Sequence, residues 1–152
     1  MLTIVRNDRF GANWAVKRNA RMIGYLYGAW GLPTTYLIRA KAGKMLGQIP
    51  QAMDDYSTSI RLRPSAEAHY GRGLTYVREY PEKDREALDD FTAAIRLDPK
   101  HVGAYKARAE IYSRRELFEN ALQDAEIVLK LDPGTPNAHC NLGFAHYAVG
   151  HD

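Results

Sequence analysis

Only one cysteine, Cys140, occurs in the 152 residues, so there is no intramolecular disulfide framework and stability must come from packing. Neither an HExxH nor a CxxC pair is present, which removes the common zinc-hydrolase and zinc-ribbon patterns. The serines lack the strand-turn-helix setting of a nucleophile elbow. Ala42-Gly43-Lys44-Met45 shares only a Gly-Lys pair with a phosphate loop, and Gly71-Arg72-Gly73 has no third glycine for a dinucleotide turn. The sequence therefore points away from an enzyme and calls for no cofactor and no metal. Charge is also missing from Met22 to Ile38, but those 17 residues fall short of the ~20 that span a bilayer. Gly24, Gly28, Gly31 and Pro33 would further weaken a single apolar rod.

What is present is a 45% hydrophobic composition, enough to bury a continuous core, and a net charge of +3 that is unevenly distributed. Residues 1–50 carry 8 Lys/Arg against the single acid Asp8, whereas residues 51–152 carry 13 against 17. A basic start followed by an acidic body does not form one continuous basic groove, so nucleic acid is not the expected partner. The lone cysteine fits a cytoplasmic setting, with membrane association or export through the N-terminal segment as the alternative.

Three stretches repeat: Ser59-Ile60-Arg61-Leu62-Arg63-Pro64, Ala94-Ile95-Arg96-Leu97-Asp98-Pro99 and Val128-Leu129-Lys130-Leu131-Asp132-Pro133. Their prolines lie 35 and 34 residues apart. Twelve residues before each proline stands an alanine (Ala52, Ala87, Ala121), and eight before it Tyr56, Phe91 or Ala125. Further upstream an aromatic and a small residue recur at helical spacing: Tyr36 with Ala40, His69 with Gly73 and Tyr76, Tyr105 with Ala109 and Tyr112, His139 with Gly143 and His146. Small residues allow two helices to approach closely, aromatics fill the space beside them, and each proline stops a helix. A single such unit cannot bury its apolar face, whereas stacked units can.

These landmarks resemble the tetratricopeptide repeat, a 34-residue helix-turn-helix unit. The resemblance implies an all-α fold, an α-solenoid of stacked antiparallel helix pairs wound as a right-handed superhelix. It covers residues 33–152, in units of about 33–65, 66–101 and 102–135 with a half unit 136–152. The departures are Arg39, Arg72 and Arg108 where the pattern has Leu, Gly43 for Tyr, Ala125 for Phe, and two extra residues around Tyr80-Pro81-Glu82-Lys83-Asp84. Before the array, Val16, Ala20, Ile23, Tyr27 and Trp30 form one stripe of a helix over roughly residues 13–30. That basic segment, residues 1–32, reads as a cap on the first unit; contact with anionic lipid is the lesser alternative. At the other end, the last helix is either a cap or part of a longer array, and exposed ends of the array would favour self-association.

The resemblance further implies a protein-interaction module, an adaptor or scaffold, whose first helices line a concave groove. The groove positions here include Lys41 and Met45; Tyr70, Leu74 and Arg78; Lys106, Glu110 and Arg114; and Asn141, Phe144 and Tyr147. Such a lining suits a peptide or partner protein with apolar anchors and some acidic residues. The family's two-carboxylate clamp for chaperone tails is not matched. Its positions read Leu37, Lys41, Gly71, Gly103 and Ala107 in one frame, and Tyr70, Leu74, Ala107, Asn137 and Asn141 in the other. Rival readings are a helical-repeat RNA binder and a regulatory fragment of a larger enzyme. His139, Cys140, His146 and His151 are metal-capable side chains, but His139 and His146 occupy the repeat's aromatic packing positions and read as structural. The acid pairs Asp54-Asp55 and Asp89-Asp90 recur at one place in successive second helices, as a solvated face or an ion-pair row rather than a catalytic dyad.

Overall fold

The computed structural model of the chain describes residues 32–134 together with Gly143 and Gly150. The N-terminal cap segment, and the half unit 136–152 apart from those two glycines, lie outside the described residues. Six α-helices and no strand occur among the described residues: α1 (Pro33–Met45), α2 (Ile49–Leu62), α3 (Ala66–Glu79), α4 (Asp84–Leu97), α5 (Val102–Arg114) and α6 (Phe118–Leu131).

Local chemistry explains where each helix begins and ends. Pro33 and Pro50 sit in the first turns of α1 and α2, where a missing N–H costs nothing. The Ser65 side chain caps α3 by accepting from the Ala68 N–H at 3.3 Å. α4 opens with Asp84 and Glu86 in its first turn, which favours the positive end of the helix dipole. The second helix of every pair stops the same way. Arg63, Asp98 and Asp132 leave helical geometry with φ of −156°, −138° and −143°, each immediately before a proline that disfavours helix at the preceding residue.

The elbows between paired helices differ. Gly47 turns the first at φ 73°, whereas the third places Glu116 in the left-handed region at φ 60°. In the second, the two extra residues are taken up in a 3₁₀ turn, Pro81–Lys83. The Lys83 ammonium lies over the Tyr76 and Tyr80 rings, 5.8 and 5.4 Å from their centroids.

The chain divides into two compact units, Met1–Pro64 and Ser65–Asp152. In the first, α1 packs on α2 in antiparallel fashion, with the buried Ala40, Ala52 and Tyr56 between them. Ser59 Oγ donates to the Pro33 carbonyl at 2.8 Å and closes the far end of that pair. In the second unit α3 packs on α4, α4 on α5, and α5 on α6. Ala87, Phe91 and Ile111 form its sealed centre, with Tyr70, Leu74, Val77 and Ala107 packed partly buried against it. Phe91 is 0% exposed and sits against Gly73, where an added Cβ would stand 2.7 Å from the ring edge. Burying a ring of this size contributes about 2–3 kcal/mol, so Gly73 serves the core by leaving room for Phe91.

Candidate partner-binding face

The first helices of the second unit, α3 and α5, lie side by side. Tyr70, Leu74 and Val77 of α3 and Ala107 of α5 pack, partly buried, against the core of this unit. Tyr70 is held in place. Its ring packs against Phe91 (centroids 6.0 Å apart) and against His101 (4.6 Å), and its hydroxyl lies where a Cβ on Gly103 would come within 2.9 Å. His101 in turn is fixed by capping α5, because its Nδ1 accepts the Ala104 N–H at 3.1 Å. That bond leaves Nε2 as the protonated nitrogen, facing Glu67 Oε1 at 3.6 Å. Burial, reinforced by Glu67 and opposed by Arg78, pushes the Tyr70 phenol above its ordinary value, so it remains a neutral hydrogen-bonding group.

Charged side chains stand on the same two helices. Arg78, Lys106, Glu110 and Arg114 are all exposed. Arg114 donates to Asp84 at 3.2 Å and ties the end of α5 to the start of α4. The two helices thus carry an aromatic and aliphatic strip together with exposed charged side chains. Such a strip can bury an apolar side chain while orienting an acidic one.

The opposite face of each first helix carries a different pattern. Three residues after the aromatic landmark comes an arginine, and three after the alanine landmark an aspartate. Each arginine grips its aspartate with two parallel N–H···O bonds. Arg39 holds Asp55 at 2.6 and 2.5 Å, Arg72 holds Asp90 at 2.8 and 2.8 Å, and Arg108 holds Asp124 at 2.8 and 2.7 Å. The three carboxylates are buried. His69 Nδ1 adds a third contact to Asp90 at 2.8 Å, and Arg108 also donates to Thr92 of the preceding pair at 3.1 Å. Burial, the largest single influence on Asp90, pushes its carboxyl up, but hydrogen bonds from Arg72 and His69 and their charges outweigh it and hold the group below its ordinary value. The bonds to Asp55, Asp90 and Asp124 raise Arg39, Arg72 and Arg108 against the opposing effect of burial.

No family model matches the sequence. Over 88 residues, 57% of the chain, it is 40% identical to serine/threonine-protein phosphatase 5 of Rattus norvegicus, and over 69 residues, 45% of the chain, 36% identical to small glutamine-rich tetratricopeptide repeat-containing protein 2 of Saccharomyces cerevisiae. The chain spans 17% and 20% of the lengths of these relatives. The second TPR domain of human RPAP3, in complex with the HSP70 peptide SGPTIEEVD, matches with a TM-score of 0.65 at 27% identity, over 74% of this chain and 97% of that domain. MamA matches with a TM-score of 0.80 at 20% identity, over 99% of this chain and 88% of its own. The helix pairs of this chain have the tetratricopeptide-repeat fold.

Within these tetratricopeptide repeats the expected groove residues fall in different places. Tyr70 and Leu74 both pack, partly buried, against the core of the second unit, and Arg78, Lys106, Glu110 and Arg114 are exposed. Lys41 and Met45 are exposed on α1 of the first unit, Met45 to 79%. Asn141, Phe144 and Tyr147, like His139, Cys140, His146 and His151, lie outside the described residues. The acid pairs divide: Asp54 and Asp89 are solvated, while Asp55 and Asp90 are buried in ion pairs. The arginines that depart from the repeat pattern, Arg39, Arg72 and Arg108, are therefore the partners of the buried Asp55, Asp90 and Asp124. Sequence reading missed His101 and Gly103 as the supports of Tyr70. Among the described residues no helix is long and apolar enough to cross a membrane, and no cluster of His, Cys, Asp and Glu could hold a metal ion.

Proposed function

We propose that this chain is a protein-interaction module, an adaptor or scaffold, and that the α3–α5 face receives a segment of a partner protein. The observation that carries the reading is Tyr70. A half-buried aromatic fixed by Phe91, His101 and the absence of a side chain at Gly103 is ready for contact without further ordering, and pre-ordering is what raises affinity. Leu74, Val77 and Ala107 extend its apolar surface, and Arg78 and Lys106 supply positive charge at the edge.

The RPAP3 domain, which holds an HSP70 peptide, supports a peptide-binding reading for this chain as well. The ligand differs, however. Neither frame of the family's carboxylate clamp is matched: one reads Leu37, Lys41, Gly71, Gly103 and Ala107, the other Tyr70, Leu74, Ala107, Asn137 and Asn141, and only Lys41 among them is positively charged. The segment it takes is an internal stretch with an apolar anchor and nearby acids, not a free acidic C-terminus.

A displayed peptide library selected on the purified chain tests this. Enriched peptides should combine a large apolar residue with Asp or Glu, and their binding should fall at least tenfold on Tyr70→Ala. Replacing Arg78 and Lys106 with Glu should shift selection away from acidic peptides. Enrichment that ignores all three changes would refute the site.

A further inference from the structure

The three Arg–Asp pairs carry more than cohesion. Each unites a first helix with the second helix of its own repeat, and each sits at the same two landmarks. The Arg72 and Asp90 side chains are 22% and 4% exposed, and those of Arg108 and Asp124 are 16% and 3% exposed. Withdrawing such charges from water is costly, and an apolar pair of similar volume is commonly as stable or more so. Stability alone therefore does not explain a buried ion pair built three times over. Among the described residues no buried side-chain nitrogen or oxygen lacks a hydrogen-bond partner, so the pairs are fully satisfied as they stand.

Alignment does explain it. The helices of these repeats share a periodic pattern of small and large apolar residues, so their apolar faces distinguish poorly between a correct neighbour, a slipped one and a wrong one. Two parallel N–H···O bonds at 2.7–2.8 Å between Arg108 and Asp124 tolerate neither a slipped register nor two helices of the same kind. A slip of one helical turn, about 5.4 Å, breaks both and leaves a buried carboxylate unpaired. Packing two first helices together at these positions would juxtapose two guanidinium groups, and two second helices would juxtapose two buried carboxylates.

We propose that the Arg39–Asp55, Arg72–Asp90 and Arg108–Asp124 pairs are a pairing code that admits only a first helix against a second helix, in one register. The arginines and aspartates are positioning residues and act by excluding alternatives. Because the same code stands in all three repeats, it selects the type of partner helix and not its identity. A first helix can in principle be satisfied by the second helix of another copy, the arrangement of a domain swap.

Two experiments on the full chain test the code. In the first, Arg108→Asp should lower Tm by 10 °C or more. Adding Asp124→Arg should recover at least half of that loss, while adding Asp90→Arg in its place should recover none. Equal recovery from both, or none from either, would overturn the proposal. In the second, all three pairs are replaced by Leu–Leu. Helical circular dichroism should persist while size-exclusion profiles broaden into several oligomers and amide signals multiply relative to the parent chain. An all-leucine variant with the parent's single set of signals and its elution profile would show that apolar packing sets the pairing unaided, which would also overturn the proposal.

Discussion

Replacing Gly73 with Ala should destabilise the chain even though alanine is the better helix former. In an open helix interior the exchange is favourable by about 1 kcal/mol. Here the new methyl would stand 2.7, 3.0 and 3.2 Å from three carbons of the Phe91 ring. That ring is fully buried and has Tyr70 against it, so it can retreat only by moving a second ring. Overpacking of this kind costs typically about 1–3 kcal/mol, and with the propensity gain subtracted a net loss of about 1 kcal/mol is expected. Gly43 supplies the contrast. A Cβ there meets Ala52 Cβ at 3.6 Å, an ordinary contact, so Gly43→Ala should stabilise by about 0.5–1 kcal/mol. Urea unfolding followed by circular dichroism at 222 nm measures both. With a slope of about 1–3 kcal/mol per molar, the two midpoints should move in opposite directions by about 0.5 M each. A midpoint for Gly73→Ala at or above that of the parent would refute the reasoning that Phe91 needs the missing side chain.

Two more variants test other parts of the structure. Glu116→Gly relieves a left-handed residue at the third elbow, where a side chain costs about 1–2 kcal/mol, and loses part of that gain to unfolded-state entropy; thermal melts should show a net gain of about 0.5–1 kcal/mol, and a loss would mean the Glu116 side chain has a use there. Asp90 is held below the ordinary aspartate value of 3.8, so the stability it contributes is fully present above that pH and is lost as pH falls toward its folded value; Asp90→Asn should be less stable at pH 7 yet lose less between pH 5 and 2 than the parent, and parallel acid limbs in the two proteins would count against the Arg72 and His69 interactions as the cause.

The helical repeat was legible because stacking demands the same small and aromatic residues in every unit, and because proline marks each stop at positions 64, 99 and 133. The ion pairs were only half legible. A charged residue at an expected leucine position reads as drift, since nothing in Arg72 alone distinguishes a buried guanidinium from a solvated one. The signal lay in separations: Arg39 and Asp55 are 16 residues apart, Arg108 and Asp124 also 16, and Arg72 and Asp90 18, longer by the two residues inserted at that elbow. Tyr70 could be read as a groove aromatic from its offset to His69, but its supports could not. His101 caps through an imidazole rather than a Ser or Asp side chain, and the Arg114–Asp84 bond joins residues 30 apart across adjacent repeats. Contacts of that second kind depend on how one pair leans on the next, which no local pattern encodes.

The 3₁₀ turn Pro81–Lys83 lengthens the covalent path of the second repeat, yet the Arg72–Asp90 bonds keep the length of the Arg108–Asp124 bonds. Such a detour is a natural port for grafting. A reporter peptide or a fluorophore-bearing insert placed there adds to the entropy of closure only logarithmically, about 0.6 kcal/mol for each doubling of length. The second repeat thus offers a handle by which the protein can be labelled while its packed surfaces stay as they are.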